Sequence, residues 1–482
     1  MLIEVCYIWP LFYLDLAMLF NSFVFFIFLV FVWIVFLSLK NKQKGRVYWI
    51  LFSSYLFYGY WEWKFLLLIF LSTIIDFLIG QKIEDSGDEI KSKRWLILSM
   101  VLNLTILGFF KYYNFFISSF IDFGLLFNLK LSAPILNILL PVGISFYTFQ
   151  TMSYSIDIYR KRTKAERNIA YFALFIAFFP QLVAGPIERA EHMFEQFKKR
   201  FFPTKQQCKE GFHLIALGLF KKVMIGDTLG RIVDELFSEP ESFYSLELIA
   251  GVILFGLQIY ADFSGYTQIA RGTSKLLGVE LMKNFSQPYL STSITEFWRR
   301  WHISLSSWLK DYLYISLGGN RNGRTKINLM LTMVIGGLWH GANWTFIVWG
   351  FLHGSYLIIH KKVMSRNLKI NYWLSWILTQ FLVFYAWLFF RSNSIGDAIL
   401  IHKQILKFEY SFEGVLLLKT SLIIGALVFV LDCFERKTVV NDVLLQFVKR
   451  KSVRVGISLS FIIISFMYMF QNKPLPFIYF QF

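Results

Sequence analysis

Two histidines carry most of the chemistry this sequence can offer. His340 stands in "GGLWHGANWTFIVWGFLHG" (336–354), inside a run from Ile327 to His360 of 34 residues without a single Asp, Glu, Lys or Arg. An imidazole in such surroundings is expected neutral and able to accept a proton. It could deprotonate an attacking hydroxyl or thiol while an acyl carbonyl is attacked. The alternative is a histidine bonded across a helix contact; ionisable groups in membrane segments more often serve function. Gly337 and Gly341 form a GxxxG spacing, which points to close helix packing rather than to a catalytic loop.

His302 lies in "SITEFWRRWHISLSSWLKDYLYISLGGNR" (293–321). Phe297, Trp301, Leu305, Trp308 and Tyr312 recur at helical spacing, bounded by Arg299, Arg300, Lys310 and Asp311. This pattern predicts an amphipathic helix lying at a membrane interface. By itself, His302 reads as a packing or polar-face residue. The following "GGNRNGR" could cradle a phosphate with backbone N–H groups and Arg321 or Arg324, although ordinary membrane topology also accounts for these charges. Asp262, in "QIYADFSGYTQIARG", could pair with a histidine or arginine at the end of an apolar span. No GxSxG, Walker loop, HExxH or metal-ligand cluster occurs, so hydrolase, ATPase and metalloenzyme readings lack residues.

The elements that hold these residues are membrane helices. The 482 residues are 56% hydrophobic and 17% charged, with mean hydropathy +0.52, too apolar for a soluble domain. Many windows reach the length of a spanning helix. The pattern predicts an all-α polytopic membrane protein with about ten or eleven transmembrane or re-entrant helices plus interfacial amphipathic helices. Spans are expected near 21–39, 47–60, 65–80, 95–112, 135–157, 246–266, 371–391, 416–432 and 455–471. Residues 168–189, with Pro180, Gly185 and Pro186 between basic loops, read as a re-entrant element. The 327–360 run is too long for one span and should bend at Gly336, Gly337 or Gly341.

Net charge is +18. The basic clusters at 40–46, 82–94 and 159–167 fit cytoplasmic loops better than nucleic-acid binding, and they set the N-terminus outside. Cys6, Cys208 and Cys433 are too scattered for a disulfide framework or zinc site. The first basic residue is Lys40, so no cleavable signal is expected; "MLFNS" at 18–22 could be an alternative start. One membrane-embedded domain is expected over 1–482, with N-terminal spans (1–160), a catalytic core (161–362) and C-terminal spans (363–482).

Taken together, the motifs resemble the membrane-bound O-acyltransferase family, in its bacterial alginate O-acetyltransferase-like branch. The resemblance rests on "LFYGYW" (56–61), "FKYYNFF" (110–116), "LPVGISFYTFQTMSYSIDIYR" (140–160) and "FFPQLVAGPIER" (178–189). It continues in "QIYADFSGYTQIARGTSKLLG" (258–278), the 288–321 stretch and "GLWHGANWTFIVWGFLHG" (337–354). It implies a fold with a central tunnel, His340 as catalytic base and His302 as a second important histidine. It also implies acetyl-CoA as donor, an exported polysaccharide as acceptor, an extracytoplasmic SGNH-type acetylase as partner, and the bacterial cytoplasmic membrane as location. Ala261 and Ser316 depart from the family pattern, where Cys and Pro are common. Rival readings are a D-alanyl or other acyl transferase fed by a carrier-protein thioester, a non-catalytic acyl conduit, and a transporter, which the missing internal repeat disfavours.

Overall fold

A computed structural model describes residues 18–182, 185–199, 201–321, 323–364, 371–436 and 450–480. All regular structure among the described residues is helical. Six helices are long and apolar enough to cross a membrane: Lys64–Asp85, Glu89–Leu126, Ser245–Leu276, Tyr372–Arg391, Phe412–Cys433 and Ser452–Gln471. Phe23–Ser38 and Ile169–Leu182 are shorter and equally apolar. Their surfaces match such an environment. Ile27, Phe31 and Ile34 on one helix, and Trp373, Ile377 and Phe381 on another, are more than half exposed. Such apolar stripes suit hydrocarbon and would be a liability in water.

The Ser245–Leu276 helix is the pillar of the fold. Its 32 residues, roughly 48 Å at the standard rise, are buried along most of their length. It packs on the Lys205–Leu219 helix through two reciprocal glycine pairs. A Cβ on Gly272 would lie 2.6 Å from the Gly211 carbonyl oxygen, and one on Gly265 2.7 Å from that of Gly218. Only glycine permits backbones this close. One contiguous core then draws side chains from Met18 to Ile478. A second, smaller cluster gathers Phe149, Leu305, Trp308, Tyr312 and Trp339.

Polar bonds sort the loops into two ends. At the basic end, Arg167 pairs with Glu84 (2.9 Å) and Asp85 (2.6 Å), and Lys198 with Glu166 (2.6 Å). Arg46 donates to the Phe201 carbonyl at 2.7 Å, and Lys275 reaches Glu210 and Glu280 at 2.8 and 2.6 Å. At the opposite end, Tyr58 donates to the Val142 carbonyl (3.1 Å), Asn343 to that of Asn393 (2.7 Å), and Arg391 meets Asp234 at 2.7 Å. The basic clusters read from the sequence thus share one end of the bundle.

Several expected elements differ in detail. Among the described residues six helices meet the spanning criterion; other apolar runs read from the sequence fold as the 16-residue Phe23–Ser38, the 20-residue Gln43–Glu62 and the broken pair Ile169–Ala177 and Phe179–Leu182. Residues 129–141 have no regular structure, and a helix begins only at Ile144, after Pro141 and a left-handed Gly143. The span expected to close at 112 continues to Leu126 through a π turn at Gly108–Tyr112. Residues 293–321 do not form one interfacial helix. They break into Ile294–Arg300, Ile303–Trp308 and Leu309–Tyr314, and the apolar face from Phe297 to Tyr312 is buried in the protein. The helical spacing was real, but it served a core rather than a lipid surface. Asp262 is not at a helix end; it sits mid-helix and pairs with Lys222. Residues 168–189 do contain a break, at Phe178 between Ile169–Ala177 and Phe179–Leu182. Cys208 and Cys433 are free thiols; Cys6 and the rest of 1–17 lie outside the described residues.

Candidate active site

His340 is the last residue of the Thr325–His340 helix, and the next helix starts at Trp344. The bend falls at Gly341, one of the three positions anticipated. Gly337 and Gly350 let the two helices touch: Cβ atoms there would come within 2.2 Å of the Phe346 carbonyl oxygen and 2.4 Å of that of Met333. Asn343 caps the second helix, accepting from the Thr345 N–H at 3.0 Å. Carbonyls at the end of the first helix lack partners within it. The "FKYYNFF" segment supplies them. Tyr112 donates to the Leu338 carbonyl (2.9 Å), and the Lys111 ammonium to those of Trp339 (2.8 Å) and His340 (2.9 Å). A cation at a helix C-terminus also opposes its dipole favourably.

His302 occupies the break between two other short helices, with a left-handed backbone at φ 42°. A non-glycine residue there carries strain of about 1 kcal/mol or more. Asn284 spans the break. Its carbonyl accepts from Ile303 N–H (2.9 Å), and its side-chain oxygen accepts from the Ser304 hydroxyl (2.6 Å). The strain turns the His302 imidazole inward, edge-on to Phe263 at 4.7 Å between centroids.

The two imidazoles meet. Their centroids are 6.3 Å apart, and Trp339 and Tyr479 contact both. Trp349 (5.1 Å) and Phe390 (5.3 Å) complete the wall around His340. His302 is wholly buried and His340 is 3% exposed. Both nitrogens of His302, Nδ1 of His340 and the indole N–H groups of Trp339 and Trp349 have no hydrogen-bond partner among the described residues. Buried polar atoms normally have partners, so this concentration marks a place built to receive polar atoms from outside the chain. A cavity of about 80 Å³ reaches His340, lined also by Lys111, Pro141 to Phe146, Trp339, Tyr479 and Phe480. These residues belong to the end opposite the basic loops.

Arg321 and Arg324 are not buried with the histidines; both are exposed on the basic-end loop. The N–H groups of Gly318, Gly319 and Arg321 bond to the carbonyls of Ile315, Tyr314 and Gly318, so the loop closes on itself. Sequence reasoning missed four features. Lys111, a lone cation within an apolar run, was visible in principle. His353, buried against Trp349 (4.8 Å) and Trp298 (5.1 Å), shares the 327–360 run with His340. Tyr479 and the Lys222–Asp227 pair carried no local signal.

Residues 5–396 match the family model described as MBOAT, membrane-bound O-acyltransferase family. The probable alginate O-acetylase AlgI of Pseudomonas aeruginosa is 42% identical over 380 residues, covering 78% of this chain and 72% of that protein. The peptidoglycan O-acetyltransferase of Helicobacter pylori is 34% identical over 437 residues, covering 83% and 81%. The teichoic acid D-alanyltransferase of Streptococcus thermophilus is 28% identical over 247 residues, covering 48% and 59%. A multi-pass helical bundle, a buried pair of histidines and these matches together show that the chain belongs to the membrane-bound O-acyltransferase family and is an O-acyltransferase.

Proposed function

We propose that this enzyme moves an acetyl group from a thioester donor, acetyl-CoA, at its basic end to a hydroxyl at the opposite end, for O-acetylation of an exported polysaccharide. The single observation that carries this reading is the meeting of His340 and His302 on two unrelated helix breaks, at the inner end of a cavity. Support for acetyl rather than D-alanyl transfer comes from the relatives. The two with acetylating names cover about four fifths of this chain, and the D-alanyltransferase about half.

In this mechanism His340 accepts the proton of the acceptor hydroxyl as its oxygen attacks the thioester carbonyl carbon. The tetrahedral intermediate collapses with cleavage of the carbon–sulfur bond. The thiolate leaves and takes the proton, so the products are an ester and a free thiol. The Trp339 and Trp349 indole N–H groups flank His340 and can donate to the developing oxyanion. His302 supports the imidazole face and orients what binds between the rings.

The donor's approach runs along the smaller aromatic cluster. Arg189 and Arg160 lie over the Tyr312 ring at 4.7 and 5.7 Å, and Trp308 stacks on Phe149 at 3.8 Å, next to Trp339 at 5.4 Å. In this reading a central tunnel through the membrane elements joins that cluster to the cavity, and the basic end is cytoplasmic in a bacterial inner membrane. The acceptor is the glycan itself or a serine of an SGNH-type partner. Thioester cleavage by purified protein tests the reading. His340→Ala is expected to lower turnover about 10²–10⁴-fold, and unchanged turnover would refute it.

A further inference from the structure

Three charged side chains stand in the middle of the apolar bundle, and acyl-transfer chemistry at the histidines does not call for them. Lys222 and Asp227 lie on the Phe220–Asp227 stretch and Asp262 on the central helix, none more than 3% exposed. The Lys222 ammonium is 2.7 Å from Asp227 and 3.0 Å from Asp262. Buried ion clusters are weak stabilisers, since well-packed apolar residues of similar volume often do as well or better.

Their remaining bonds go to one place. Asn21 donates to Asp227 (3.0 Å) and to the Leu475 carbonyl (3.2 Å). Lys222 donates to the Pro476 carbonyl at 3.3 Å, and Asp262 accepts from the Ile478 N–H at 3.2 Å. The chain from Asn472 to Phe477 is not helical. Non-helical backbone within a membrane protein must find its partners in the protein, and the cluster supplies them. Past these bonds, Phe477 packs on Tyr266 (4.6 Å), Tyr479 on His340 (5.4 Å), and Phe480 on Trp61 (5.0 Å). The docked segment lies beyond residue 396, where the family match ends, whereas Asn21, Lys222, Asp227 and Asp262 lie within it.

We propose that Lys222, Asp227 and Asp262, with Asn21, form a latch that docks the segment 473–480 and thereby holds Tyr479 against both imidazoles, making the four positioning residues for acyl transfer. The proposal rests on the role given above to His340. Lys222→Met, which removes the donor to Pro476, is expected to lower kcat about 100-fold. KM for the donor should stay within about twofold, because the donor approaches elsewhere. Lys222→Arg is expected to retain most of the activity.

Two further readouts separate a latch from general core stability. An Ile478→Cys thiol, shielded in the parent, is expected to react with N-ethylmaleimide about tenfold faster when Lys222→Met is added. A Cβ on Gly230 would lie 3.0 Å from Cδ1 of Leu475, so the two positions face each other and a Gly230→Cys/Leu475→Cys pair is the tether to install. In the Lys222→Met background, oxidation of that pair is expected to restore kcat to within about threefold of the parent. The proposal is overturned by unchanged kcat in Lys222→Met, by a loss with Ile478→Cys still shielded, or by a loss the tether does not relieve. Should Lys222→Met fail to fold, Asn21→Leu, which leaves the lysine–carboxylate pairs intact, is read in the same way. Failure of the parent to cleave any thioester would overturn the acyl-transfer reading, while shielding of Ile478→Cys would still decide the latch.

Discussion

At the scale of single residues, the two histidines are held by opposite means. His340 is placed by a helix end whose last three carbonyls are bonded by Lys111 and Tyr112, His302 by a backbone strained into the left-handed region. The strain makes a separable prediction. Asn tolerates the left-handed region, so His302→Asn should fold with little change in thermal stability and yet lose at least about tenfold in turnover; a detergent melting curve beside a thioester assay checks both halves. Trp349→Phe keeps an aromatic ring but removes the indole N–H beside His340, and should lower kcat about 10²-fold with KM unchanged. Of these residues, His340 was legible in the sequence because it lies in a run of 34 residues without Asp, Glu, Lys or Arg. His302 was legible only through family resemblance: a left-handed break leaves no mark in a helical period, so the stretch read as one amphipathic helix. Tyr479 was not legible, since its contact with the histidines depends on partners some 200 to 450 residues away in sequence, from Asp262 back to Asn21.

At the scale of elements, the site depends on how closely two helices approach and on how one of them ends. The Thr325–His340 and Trp344–Met364 helices meet through Gly337 and Gly350, where any side chain would strike a backbone carbonyl. Gly350→Ala should therefore push the pair apart, destabilise the protein by about 1–3 kcal/mol and lower turnover at the same time. Lys111→Met leaves the last carbonyls of the first helix without their ammonium and should cost about 1–3 kcal/mol in stability, with Lys111→Arg much closer to the parent; urea or thermal unfolding in detergent measures both. For the first effect, the GxxxG spacing of Gly337 and Gly341 signalled close packing at Gly337 but not that its partner is Gly350 on the next helix. The second was hidden because Lys111 is 229 residues from the carbonyl it serves. Periodicity locates apolar helices, but it does not say which of them are interrupted. Thus 135–143 and 293–321 were drawn too regular, while the Gly341 bend followed from simple length.

At the scale of the whole molecule, charge and apolarity divide the chain into a lipid-facing shell, a close-packed apolar interior and one basic end. That division was legible from composition and loop charge, because membrane insertion constrains both strongly. The number of crossing elements was less so, since an apolar run reads the same whether it meets lipid or protein. If the basic end receives a phosphate-bearing donor, Arg189→Gln should raise KM for acetyl-CoA about tenfold. A short acetyl thioester without phosphates should be unaffected, and equal losses for both would show Arg189 to be structural. The most direct test of the central claim uses vesicles holding the enzyme in a single orientation. Acetyl-CoA is supplied only at the basic face and a hydroxyl acceptor only at the other. Acetyl ester is predicted to form on the acceptor side and to vanish with His340→Ala. Ester that forms only when donor and acceptor share one side, or that persists in His340→Ala, would contradict it.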